Sequence, residues 1–319
     1  MAFRVSSKDN SWYDGLNYFT SYHFTIMQEL LYREYNAEQL NIQYSPSKSV
    51  INASQIVCGW QGKSAVYREK AGPQASYDLA YGDTCGEKLD VFRCRKVQVP
   101  VHVYIHGGYW QQTDKSDYSF LAEALVQQGA VVVIPNYNLC PQVGVADIVD
   151  EIRRSLIWVF RNIEQYGGDP EQIHISGHSA GGHLTAMMAM TQWSDYGSDL
   201  PRDLVKSGVS ISGVFDLEPL IHTPINQPLR LNLESARALS PMLLKATDVP
   251  PLSFVVGADE SEEFKRQSEV MEAHWQKLAG KTRALRCANR NHFNVINDIS
   301  QPTHPLFAEI CHYMFINQE

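Results

Sequence analysis

The chain of 319 residues lacks most of the marks of metal proteins, disulfide scaffolds, nucleic-acid binders and membrane proteins. Its six cysteines, Cys58, Cys85, Cys94, Cys140, Cys287 and Cys311, are scattered and never form a C-x-x-C pair, so neither structural zinc nor a disulfide framework is expected. Cys94 and Cys287 fall in predicted strands, where a free thiol acts as a small core side chain. H-E-x-x-H is absent. His102, His106, His174 and His178 lie in or just after strands, where residues four apart are separated by roughly 13 Å, too far to share one ion. Nothing calls for a metal or a cofactor. Basic residues are in deficit, 27 Lys and Arg against 35 Asp and Glu for a net charge of −8, with no basic run, so no nucleic acid and no anionic membrane is expected as a partner. No apolar run reaches the length of a membrane span, and the opening MAFRVSSKDNSWYDGLNYF lacks the apolar core of a secretory signal; a cytoplasmic protein is the expectation. Repeats and low-complexity tracts are missing. Oligomeric state leaves no mark, and a homodimer is as compatible as a monomer.

What is present is an alternation of strands and helices. Phe24 to Leu40 reads as a helical arm, with Ile26, Leu30, Leu31 and Tyr35 near helical spacing, inside an N-terminal portion of residues 1–75 that packs on the body. SYDLAYG, KLDVFRC and VPVHVYIHGG then suggest an antiparallel start leading into a central strand. AEALVQQG is a helix ending on Gly129, AVVVIP a buried strand, and the stretch from Val145 to Gly168 a long amphipathic helix with Ile152, Leu156, Val159, Phe160 and Ile163 on one face. Strands IHISGH, VKSGVSISG, PLSFVVGAD and TRALRC follow, with an irregular, cap-like insertion over 213–249, a helix EEFKRQSEVMEAHWQKLAG and a closing helix near Pro305 to Ile316. The count predicts one α/β domain over 1–319: a mostly parallel eight-stranded sheet with helices on both faces. Ligands of such sheets sit beyond the carboxyl ends of the strands.

The most informative stretch is IHISGHSAGG. Ile173 and Ile175 alternate as in a half-buried strand, and Gly177 and Gly181 flank Ser179 as G-x-S-x-G, a sharp strand-to-helix elbow in which Ser179 is the candidate nucleophile. The helix that follows aims its free N–H groups at that serine. A serine hydroxyl needs a base to take its proton and a carboxylate to orient the base. Asp259 follows the strand Leu252 to Gly257, and His292 follows the strand Arg283 to Cys287, making them the candidate acid and base. Asp216 is the main rival acid, and Glu260 a weaker one because its neighbour already occupies the strand-end position. His178, adjacent to the nucleophile, is read as packed and pointing away from the face of Ser179.

His106-Gly-Gly-Tyr-Trp110 lies directly after the strand VHVYI. Two adjacent glycines let backbone N–H groups turn inward, so Gly107, Gly108 and Ala180 are the candidate oxyanion hole, with His106 bracing the loop. Tyr109 and Trp110 beside that loop, Phe215 after the following strand and, more weakly, Tyr137 are candidate substrate-binding aromatics for a flat ring. A bulky Trp110 there would also crowd long acyl groups.

HGGYW, GHSAGGH, Asp259 and His292, in the order Ser, Asp, His, resemble the hormone-sensitive-lipase-like branch of the α/β-hydrolases. Within it the chain is similar to the kynurenine formamidases, or arylformamidases, over nearly its whole length, including Tyr44-Ser-Pro-Ser, Leu89-Asp-Val-Phe and Asp259-Glu-Ser-Glu-Glu-Phe-Lys-Arg-Gln-Ser. The resemblance implies an α/β-hydrolase fold, Ser179, Asp259 and His292 as catalytic triad, the HGG loop as oxyanion hole, and N-formyl-L-kynurenine, a small aromatic formamide of tryptophan catabolism, as substrate. A carboxylesterase for short acyl or aryl esters would use the same machinery. A catalytically inactive ligand-binding relative is the reading from another class.

Overall fold

A computed structural model describes residues 29–279 and 281–315. The expected eight strands form: β1 (Ala75–Ala80), β2 (Lys88–Phe92), β3 (Val99–Ile105), β4 (Val131–Pro135), β5 (Gly168–His178), β6 (Val205–Ile211), β7 (Leu252–Gly257) and β8 (Thr282–Cys287). They make one sheet in the order β1-β2-β4-β3-β5-β6-β7-β8. The sheet is mixed: β1 with β2 and β2 with β4 pair antiparallel, and the other five pairings are parallel. The central strands are buried on both faces, as their near-continuous Val and Ile content requires.

Helices cover both faces. On one lie α5 (Val145–Asn162), α6 (Ala180–Ala189) and α9 (Glu262–Ala279), where Ile152, Leu156 and Val159 of α5 meet Val101, Val103 and Ile175 of the sheet. On the other lie α3 (Ala53–Ala71), α4 (Ala122–Gln128) and α10 (Pro305–Phe315), with Trp60, Leu125, Leu306 and Ile310 against Tyr104, Val132 and Ile211. α4 stops at Gly129, whose left-handed φ of 108° suits glycine. Phe160 is only half-buried. Cys94 lies just past β2, not within it, while Cys287 closes β8 in the core, and all six cysteines are free thiols. Among the described residues no helix is long and apolar enough to cross a membrane.

The N-terminal portion departs from expectation. The part of the predicted 24–40 helix before residue 29 lies outside the described residues, as does the opening stretch; Tyr32 and Tyr35 then form a tight bridge, and α1 (Ala37–Tyr44) starts only after Asn36. Asn36 and Gln39 cap it reciprocally, each side chain accepting from the other's backbone N–H at 3.0 Å. After the short α2 (Pro46–Ser49), the 19-residue α3 packs Ala53, Trp60, Ser64, Tyr67 and Ala71 inward, a helical spacing that was present in the sequence. The connection between β6 and β7 holds α7 (Asn226–Leu229), α8 (Leu233–Ala238) and two 3-10 turns.

Candidate active site

Ser179 directly follows β5 and stands at the N-cap position of α6 with φ 58° and ψ −117°, a strained pair for a residue with a side chain. The flanking glycines are what permit it: a Cβ on Gly177 would lie 2.2 Å from the Gly181 carbonyl oxygen, and one on Gly181 would lie 2.0 Å from that of Ile105. The helix above and the strand beside the elbow leave no room for a methyl group. The Ser179 N–H donates to Ile211 of β6 at 2.9 Å, and its carbonyl accepts from His183 in the first turn of α6.

Ser179 and His292 line the same cavity of about 540 Å³. His292 follows β8, and its ring is held between Phe264 of α9, 4.5 Å away, and His178, 4.6 Å away. Its Nδ1 lies 2.6 Å from Glu260 Oε2. The other oxygen of that carboxylate, Oε1, accepts from the Ser212 hydroxyl at 2.6 Å and from the Gly257 N–H at 2.7 Å. The buried Glu260 is therefore clamped on three sides, and with Nδ1–H donating to it the imidazole keeps Nε2 free as an acceptor.

The carboxylate at the imidazole is thus Glu260 and not Asp259. Residues 257–260 form a turn closed by the Glu260 N–H on the Gly257 carbonyl at 3.3 Å. Asp259 sits at its outer corner, exposed, with its N–H on the Arg290 carbonyl, while residue 260 faces back toward the sheet, where the longer glutamate reaches the ring. The other rival, Asp216, accepts from the Tyr32 hydroxyl at 2.8 Å and anchors the N-terminal arm instead.

His178 also lines the cavity, contrary to its reading as turned away. Burial, and next the neighbouring His292, hold its pKa well below the usual histidine range, so it is neutral. His106 behaves as expected of a brace. Its ring is stacked between Tyr137 at 4.2 Å and Tyr118 at 5.7 Å, its Nδ1–H donates to the Gly107 carbonyl, and burial lowers its pKa.

In the HGG loop, the Gly107 N–H is turned toward the Tyr118 hydroxyl. Gly107 must be glycine for space: a Cβ would stand 2.7 Å from the His178 carbonyl oxygen and 3.2 Å from Ser179 Cβ. Gly108 lines the cavity, and Ala180, as the first residue of α6, has an N–H with no partner one helical turn behind it.

Of the four candidate substrate aromatics, Tyr109 alone lines the cavity. Its hydroxyl donates to the Tyr44 carbonyl and so ties the loop to α1. Tyr109 and Trp110 both have left-handed φ, 50° and 56°, and this double reversal sends the Trp110 side chain down into the core, edge-on to His183 at 5.0 Å. Trp110 therefore cannot crowd an acyl group. Phe215 is buried against Phe254 at 5.4 Å. Tyr137 works from behind, its hydroxyl donating to the His106 and Gly107 carbonyls. The other aromatic walls are Trp60 of α3, Tyr118 and Phe293, with Ile225 from the β6–β7 connection also reaching the cavity.

The family model described as BD-FAE matches residues 89–273, more than half of the chain. The kynurenine formamidase of Danio rerio is 32% identical over 279 residues, which cover 84% of this chain and 93% of that protein. A Silicibacter structure, solved as that of a candidate thioesterase, superposes with a TM-score of 0.77 at 28% identity, covering 86% of this chain and 99% of its own. An esterase of Pyrobaculum calidifontis shares the α/β-hydrolase fold with a TM-score of 0.61 at 20% identity, over 78% of this chain and 88% of its own. Matched at that identity across most of both sequences, the chain belongs to the kynurenine formamidase family.

Proposed function

We propose that this protein is a serine hydrolase that cleaves N-formyl-L-kynurenine to L-kynurenine and formate. The observation that carries this reading is His292, held by Glu260 from behind, lining the same cavity as the strained Ser179, in a chain of the kynurenine formamidase family. Ser179 Oγ attacks the formyl carbon while His292 Nε2 takes its proton. Glu260 keeps the imidazole in the tautomer that can do this and stabilises the imidazolium that results. The N–H groups of Gly108 and Ala180 hold the oxyanion, with Gly107 keeping the loop close to the nucleophile; each such donor contributes about 3 kcal/mol to transition-state stabilisation.

Collapse of the tetrahedral intermediate needs a proton on the departing arylamine nitrogen, and the imidazolium supplies it. Water, deprotonated by the same imidazole, then releases formate from the serine ester. The substrate is a small aromatic formamide and neither metal nor cofactor enters the scheme. The β6–β7 connection and the N-terminal arm form the cover of the cavity.

The test offers N-formylkynurenine beside p-nitrophenyl acetate and butyrate, with Ser179→Ala as control. The reading expects kcat/KM to favour the formamide and the control to lose roughly 10⁴ to 10⁶ in kcat. A clear preference for the esters would replace it with a carboxylesterase, and tight binding without turnover with an inactive binder.

A further inference from the structure

The cavity has two unlike sides. At the oxyanion loop the wall beside Ser179 is backbone, Gly108, with Gly107 packed so close behind it that a Cβ there would stand 2.7 Å from the His178 carbonyl oxygen. At the histidine, the next residue in the chain is Phe293 and beyond it stands Trp60, with Tyr118 closing the far end from the oxyanion-loop side. Trp60 lies 6.3 Å from Phe293 and 5.6 Å from Tyr118, ring centre to ring centre. These rings are fixed before any ligand arrives. The indole N–H of Trp60 donates to Asn297 Oδ1 at 3.2 Å, and Tyr118 stacks on His106 at 5.7 Å.

The order of bond breaking assigns each side a task. The group that gives the leaving nitrogen its proton is His292, so the leaving group must lie on the His292 side, and the acyl group on the other. Resting on the proposed reaction, we infer that Trp60, with Phe293 and Tyr118, forms the slot that recognises the aromatic ring of the leaving group, and that Trp60 is its specificity-determining residue. Among the described residues lining the cavity none is Asp, Glu, Lys or Arg, so a neutral ring enters without stranding a charge. α3 thereby has a catalytic-site function, since the helix that covers one face of the sheet also supplies the ring that sets the aryl preference.

Phenyl acetate and ethyl acetate carry the same acyl group, and the difference in leaving-group basicity cancels between enzymes, so the change in the ratio of their kcat/KM values from wild type to variant reads the slot. In Trp60→Leu this ratio should fall about tenfold, Trp60→Phe should recover most of it, and the KM for N-formylkynurenine should rise. Hydrolysis of the acetyl-enzyme, followed after a p-nitrophenyl acetate burst, should change far less, because the ring has already departed. Equal losses on both esters, or an equal loss in acetyl-enzyme hydrolysis, would reduce Trp60 to a structural residue and overturn the inference. If Trp60→Leu does not melt cooperatively, the same ratio in Phe293→Leu decides in the same way. The esters report on the slot whether or not N-formylkynurenine is cleaved, so failure of the slot and failure of the formamidase reading are seen separately.

Discussion

Glu260 Oε2 stands 2.6 Å from His292 Nδ1, while its other oxygen is taken by Ser212 and the Gly257 N–H. A carboxylate that orients a base must itself be held, and here two donors from the ends of neighbouring strands do the holding. Ser212, whose own φ is 50°, donates its N–H to Val255 of β7, so the donor is as fixed as the acceptor.

Removing one of those donors is a graded test of this arrangement. Ser212→Ala should lower kcat by about 10- to 100-fold, the range for a hydrogen bond to a charged group, with little change in KM. The check is steady-state kinetics beside thermal melting. A loss confined to KM would mean that Ser212 meets the substrate, not the carboxylate.

Trp110 supplies a prediction of the opposite kind. With its side chain fully buried against His183, Trp110→Ala should cost about 3–5 kcal/mol of stability and leave the acetate-to-butyrate preference unchanged. Denaturant unfolding and ester kinetics on one preparation check both halves. Widened acyl tolerance without loss of stability would return Trp110 to the pocket.

Buried histidines make the fold sensitive to acid. Burial pushes His102 down to about 3, and His174 and His183 down to about 4, whereas each titrates near 6.5 in the unfolded chain. Below about pH 6.5 the unfolded chain binds protons that the folded chain refuses, so stability is full above that pH and falls as the pH drops toward 4. Between pH 7.5 and 5.5 the unfolding free energy should decrease by about 4 kcal/mol, measured by urea titration. A flat profile would mean that these rings are solvated or take up protons in the native state.

The legible part of the molecule was the part governed by short-range pattern. Val and Ile marked the central strands, and G-x-S-x-G marked the elbow because the steric demand at residues 177 and 181 is local. The rest depended on turns. Whether residue 259 or 260 faces His292 is decided by the turn at 257–260, and the double left-handed reversal at Tyr109 and Trp110 is not one that residue types announce. Trp60 was hidden for a third reason. Its helical spacing with Ala53, Ser64, Tyr67 and Ala71 was readable, but only the packing of α3 beside Tyr118 and Phe293 brings it to the cavity.

The identity of the acid tests the central claim most directly. Glu260→Gln and Asp259→Asn should be compared by kcat on N-formylkynurenine, with circular dichroism to show that both are folded. The account predicts a loss of roughly 10⁴ for Glu260→Gln, since the amide can no longer hold the imidazole in its working tautomer, and a change within a few-fold for Asp259→Asn. Near-normal turnover by folded Glu260→Gln, with collapse in Asp259→Asn, would contradict it.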